Sequence, residues 1–255
     1  MDQSEAGFQV VPIQPVECLK SAKNMIADEY WLFVGICAVG VLLASFAPMA
    51  LLMGPMYCGI YLCQFTHLRG EDISLNLLFK GFDYFVESLI ATLILVAAMT
   101  VLIIPMYIVM MIAFVGFGVI GGAGRRGGAN DPMAAFGVMG TMAVVYLLII
   151  IVAMLVGTFF AFVYPLIVDR NLKAIPALKT SAKAVWANFG GMLGLTVLSG
   201  LLVGVASLCC YLPAFLVFPI TFGANLLAYR KVFPETPAGE ARAEASPMGD
   251  GDFSE

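Results

Sequence analysis

Long apolar runs interrupted by short polar segments constrain this chain more than any other feature. Trp31–Gln64, Val86–Ile120, Met133–Val168, Phe189–Leu208 and Leu212–Ala228 are apolar, and their cores hold no Asp, Glu, Lys, Arg or His. Crossing a bilayer as a helix takes roughly 20 predominantly apolar residues. Inside hydrocarbon the backbone has no water to bond, so such runs fold as helices that satisfy their own N–H and C=O groups. Composition agrees. Hydrophobic residues make up 61% of the 255 and charged residues 12%, whereas a soluble domain carries about 25% charged residues. The expected fold class is an all-α polytopic transmembrane bundle.

The first run is too long for one ordinary crossing and barely enough for two. Lys and Arg favour cytoplasmic loops, and this rule decides between the readings. If the run folds back near Pro48, six spans result, at about 30–47, 48–66, 86–120, 133–168, 189–208 and 212–229, with both termini in the cytoplasm. Of the 13 lysines and arginines, only Arg125 and Arg126 then lie outside. The arms of the second hairpin are overlong, at roughly 50 Å by 1.5 Å per residue. They are expected to tilt, or to break at Pro105 and Gly140. The glycine-rich connection GGAGRRGGANDP (121–132) follows no strand, so it reads as a flexible turn rather than a phosphate loop. Residues 1–14 and the acidic stretch 234–255 read as disordered tails flanking a single helical domain, 15–233. The first 30 residues are too acidic for a signal peptide.

Three amphipathic segments, about 15–28, 74–85 and 176–188, each precede a span. Apolar residues recur in them at helical spacing: Val16, Leu19 and Ile26; Leu75, Leu78, Phe82 and Phe85; Leu178, Ala182, Val185 and Trp186. The first and third share the words LKSAK (19–23) and LKTSAK (178–183), each followed by a tryptophan. This suggests a threefold repeat of interfacial helix plus hairpin. Such helices lie in the headgroup plane. Lys20, Lys23, Lys179 and Lys183 are therefore candidates for lipid headgroups, with Trp31 and Trp186 in the aromatic belt beside Tyr30, Phe79, Tyr84 and Tyr229.

Little in the runs suggests chemistry. Ion-coupled transporters keep ionisable groups at mid-membrane, and these runs have none; Glu87 is expected to reach interfacial water. Thr221 and Asn225 are the polar intramembrane candidates. Gly190, Gly194, Gly200 and Gly204 give two GxxxG spacings, the pattern of close helix packing. His67, Glu71 and Asp72 would have to converge for an enzyme or a cation site. Cys18, Cys37, Cys58, Cys63, Cys209 and Cys210 show no metal-ligand spacing. No cofactor and no metal is expected, and without a basic stripe no nucleic acid either.

The words GPMYCGIYL (54–62), LLFKGF (77–82), IIP (103–105) and YPLIVDRNLKAIPALKTSAKAVWANF (164–189) resemble a broad group of uncharacterised bacterial six-helix membrane proteins. That group is similar to the membrane domain of membrane-anchored glycerophosphodiester phosphodiesterases. The resemblance implies six helices and an inner-membrane location, and supplies no catalytic residue. The leading expectation is a non-enzymatic scaffold or accessory protein that meets lipids, a partner protein or a second copy of itself. A transporter or flippase-like conduit, and a membrane enzyme, are the alternatives.

Overall fold

The computed structural model describes residues 7–46, 51–123, 132–208 and 212–234, and over these the chain is helical with no strand. In order the helices are α1 (Pro15–Met25), α2 (Tyr30–Phe46), α3 (Met53–Leu68), α4 (Leu75–Phe79), α5 (Phe85–Ala123), α6 (Pro132–Phe160), α7 (Val163–Arg170), α8 (Ala174–Ala187), α9 (Phe189–Leu208) and α10 (Leu212–Val232). A 3-10 turn, Lys80–Tyr84, joins α4 to α5. The fold-back at Pro48, most of the glycine-rich loop, Cys209 and Cys210, and the acidic tail from residue 235 lie outside the described residues.

Three helical stretches are long and apolar enough to cross a bilayer, Leu75–Ile112, Met139–Arg170 and Phe189–Leu208; a fourth forms if α1 and α2 count as one span bent by 107°. That bend matches the composition on either side of it. Helix α1 alternates buried Cys18, Leu19 and Ala22 with exposed lysines, whereas α2 is apolar all round. Helices α2 and α3 have 17 and 16 residues. Each therefore reaches about 25 Å, short of a hydrocarbon core of about 30 Å.

Several expected boundaries shift. Helix α5 runs through Pro105 without a break. Its ring removes one backbone donor, a loss that transmembrane helices tolerate. The break falls instead at Ala161–Phe162, between α6 and α7, and not at Gly140. The second amphipathic segment is a short α-helix followed by a 3-10 turn, not one helix over 74–85. Leu78 is buried, while Leu75, Phe79 and Phe82 face outward. Residues 9–13, expected to belong to a disordered tail, are held in place: Gln9 N–H donates to Val232 O at 2.8 Å, and Ile13 is buried against Gly191.

The core lies where the helix ends meet. Phe65, Phe162, Tyr229 and Phe233 are buried there and pack edge-on or tilted at centroid distances of 5.0–5.9 Å. Single polar contacts tie the feet of the hairpins together. The His67 Nε2 to Met25 O contact, 2.8 Å, joins α3 to α1. Glu87 Oε2 accepts from Ala174 N–H at 2.7 Å and caps the first turn of α8. Glu87, half-buried, thus has a protein partner for one of its oxygens. A carboxylate suits that place, where the helix dipole is positive and backbone donors lack intrahelical acceptors. Replacing Glu87 with Ala should lower stability by about 1–2 kcal/mol. Gln should fall between the two, because it keeps an acceptor. Thermal midpoints in mild detergent test this ranking.

Asn188, buried at the start of α9, closes the N-terminal segment. Its Oδ1 accepts from Val11 N–H at 2.9 Å, and its Nδ2 donates to Gln9 O at 3.2 Å. Asn188→Ala should cost about 2 kcal/mol by stranding those backbone groups. Hydrogen exchange at Val11 is the readout: it should accelerate at least about tenfold in the variant, and an unchanged rate would sink the assignment.

The first and third amphipathic units share a burial register. Cys18, Ala22, Ile26, Phe33 and Ile36 are buried, and so are Ala177, Ser181, Val185, Met192 and Leu195, at one constant spacing along the chain. Helices α1–α2–α3 and α8–α9–α10 follow in the same order.

Candidate functional site

The two related elbows carry the lysines and tryptophans singled out above. At the first, α1 ends at Met25 and Ile26 is buried. The chain turns through residues 26–29, and α2 begins at Tyr30. Tyr30 OH donates to Leu216 O of α10 at 2.7 Å and pins the elbow to that helix. Helix α10 contains Pro219, whose missing N–H leaves the preceding turn one donor short. Side chains from other helices bond to carbonyls in this region, Tyr30 to Leu216 O and Gln64 Nε2 to Pro219 O at 3.2 Å.

A cavity of about 640 Å³ opens at this elbow, lined among others by Lys23, Asp28, Glu29, Trp31 and Ile220. Lys23 is exposed, and Trp31 is 75% exposed, which for so large an apolar ring calls for an apolar surrounding. Glu29 Oε2 is buried with no hydrogen-bond partner among the described residues.

At the second elbow a cavity of about 490 Å³ is lined by Phe8, Phe159, Ala182, Lys183, Trp186 and Ala187. Trp186 is 72% exposed and lies near Phe159 and Phe189, at centroid distances of 6.2 and 6.0 Å. Lys20 and Lys179 are exposed on α1 and α8 but line neither cavity.

The remaining candidates fall elsewhere. Thr221 is buried and donates to Phe218 O of its own helix, while Asn225 is half-buried. Of the glycines in α9, Gly194 faces Pro15 and Gly200 faces the Met154 methyl group, whereas Gly190 and Gly204 meet open space. His67 is turned to Met25 O, with Phe33 against its ring, while Glu71 and Asp72 are exposed. No group of three or more His, Cys, Asp or Glu that could hold a metal occurs among the described residues. Cys18, Cys37, Cys58 and Cys63 are free and buried. Burial raises the Cys18 thiol above its ordinary pKa and keeps it neutral.

Sequence reasoning missed a polar cluster at the core. Tyr229 OH donates to Asp169 Oδ2 at 2.7 Å, and Arg230 approaches Asp169 Oδ1 at 3.7 Å. Arg230 also lies over the Phe65 ring at 4.8 Å, and Arg170 over Phe233 at 5.0 Å. Asp169 and Arg170 close the word YPLIVDR, and Tyr229 and Arg230 end the last apolar run. Charges at such borders were the available signal.

No curated protein and no solved structure matches the chain. Residues 28–247, most of its length, match the family described as a domain of unknown function, DUF7847, and the chain belongs to that family.

Proposed function

We propose that this is a multi-pass protein of the cell membrane whose role is non-enzymatic, a scaffold or accessory protein that holds lipid or a membrane partner. In this reading the chain crosses six times, with both ends of the helical domain in the cytoplasm. The hydrogen bond from Gln9 to Val232 supports that topology, because it joins residues on either side of every candidate span. Two residues in contact outside the bilayer are separated by an even number of crossings. Six and four both satisfy this parity and three does not; six is preferred to four on the distribution of lysine and arginine along the chain. The Glu87–Ala174 and His67–Met25 contacts likewise return hairpin feet to one side.

The single observation that carries the role is the pair of elbow cavities, each combining a lysine with an exposed tryptophan. That is the chemistry of a phospholipid at the boundary, with phosphate above and glycerol and acyl chain below. Helices α5 and α6 add an outward apolar surface that includes Val101, Ile112, Phe136 and Leu147.

Purification from native membranes, with lipid analysis and cross-linking, tests the role. Enrichment of a lipid class or a defined cross-linked species is the expected result; monomers carrying bulk lipid composition would refute it. A conduit for a lipid or apolar solute is the second reading, favoured by the first cavity's opening beside α10. Flux in proteoliposomes equal to that of empty vesicles removes it.

A further inference from the structure

We infer that the cavity between α1 and α2 takes a phospholipid whose headgroup ends in a primary ammonium, a phosphoethanolamine headgroup. This rests on the membrane reading above and names the lipid that the elbow holds. The cavity brings together one cation, Lys23, and two carboxylates, Asp28 and Glu29, against a wall that includes Trp31, Leu32 and Ile220. A phosphate diester carries one negative charge, which suits Lys23. Two carbons further along the headgroup, the ammonium suits a carboxylate.

Glu29 decides between ammonium headgroups. With Asp28 it lines the cavity, and a carboxylate there accepts hydrogen bonds from a headgroup but donates none. A primary ammonium brings three N–H donors, as a lysine does. The trimethylammonium of phosphatidylcholine brings none, and phosphatidylglycerol brings no cation. The apolar wall selects a lipid over a free headgroup, because the glycerol and first methylenes need a surface to leave water. The second elbow lacks the discriminating element. Its cavity offers Lys183 with Phe8, Phe159 and Trp186 but no carboxylate, so it receives phosphate-bearing lipids without regard to the amine.

The chain's two tryptophans each line one of these cavities, so each reports its own site. In full-length Trp186→Phe protein only Trp31 emits; in Trp31→Phe protein only Trp186 does. The probes are phosphatidylethanolamine, phosphatidylcholine or phosphatidylglycerol with brominated acyl chains, present as a minor component of phosphatidylcholine vesicles.

At Trp31, phosphatidylethanolamine should associate on the order of tenfold more strongly than phosphatidylcholine, the worth of one charge-assisted hydrogen bond. At Trp186 the ratio should be near one. Glu29→Gln should abolish the preference at Trp31, and Lys23→Ala should weaken both lipids together. An unchanged Trp186 signal in these variants shows that the fold is retained. Equal quenching of Trp31 by the ethanolamine and choline lipids, a preference for phosphatidylglycerol, or a preference that survives Glu29→Gln would overturn the assignment. Displacement by water-soluble glycerophosphoethanolamine would overturn the lipid. If no brominated lipid quenches either tryptophan, the membrane reading itself fails.

Discussion

Gly59→Val is expected to yield almost no folded protein. A Cβ at Gly59 would fall on the carbonyl oxygen of Leu78, and one at Gly81 on the carbonyl oxygen of Pro55 and the backbone of Gly59. A side chain on Gly81 would thus need the place that Gly59 occupies, and one on Gly59 the place of the Leu78 main chain. Helix α3 lies directly against the backbone of α4 and the 3-10 turn. The neighbouring atoms are main chain, so no rotamer change can make room. Overpacking a core costs about 1–3 kcal/mol when side chains can adjust, and here the cost should reach or exceed the upper figure. Even Gly59→Ala should lower the thermal midpoint and the monodisperse fraction on gel filtration. Gly204→Ala is the control. It meets open space in α9, one turn before that helix ends, where alanine is the better helix former, so its midpoint should hold or rise. A wild-type midpoint for Gly59→Ala would remove the close crossing from this account.

Asp169→Ala should be the most damaging change among the charged residues, at about 3 kcal/mol. It strips the Tyr229 hydroxyl of its acceptor inside the aromatic core and takes the carboxylate from beside Arg230. The side chains of Arg230 and Asp169 are 16% and 14% exposed, so screening by solvent is limited and added salt should change the loss little. Asp169→Asn keeps an acceptor for Tyr229 and should cost clearly less. Tyr229→Phe should cost about 1 kcal/mol. The Asp169→Ala/Tyr229→Phe pair should be less damaging than the sum of its parts, because both remove the same bond. Strict additivity in thermal or denaturant unfolding would show that the two groups do not act together.

The fold class was legible because apolarity over whole runs is a collective signal that no single residue can spoil. The paired words LKSAK and LKTSAK likewise mark two elbows whose buried residues keep one register. What escaped were contacts between single residues far apart in the chain. Glu87 capping α8 and Asn188 holding Gln9 and Val11 leave no periodic trace. The glycines are instructive. Spacing drew attention to Gly190, Gly194, Gly200 and Gly204, because GxxxG presumes two helices meeting along a stripe. The tightest crossings instead use Gly54, Gly59, Gly81 and Gly191, at points where a helix meets a turn, a chain segment or another helix at one place. Three of these stood within the words GPMYCGIYL and LLFKGF, but composition alone could not separate them from the other glycines.

The pairing of α1 with α10 has a consequence for how the protein is made. Helix α1 is translated well before α10, yet its buried stripe packs chiefly on that later helix, with Ala22 and Met25 against Gly223 and the segment before it bonded to Val232. For most of synthesis the stripe has no protein partner. An amphipathic helix in that position has somewhere to wait, on the membrane surface with its apolar side down. Assembly then resembles a clasp fastened at the end. On the membrane reading proposed above, the hairpins insert in turn, and the arrival of α10 draws α1 into place and completes the aromatic core around Tyr229. A nascent chain stalled before residue 212 would have its hairpins in the bilayer and its first helix still undocked.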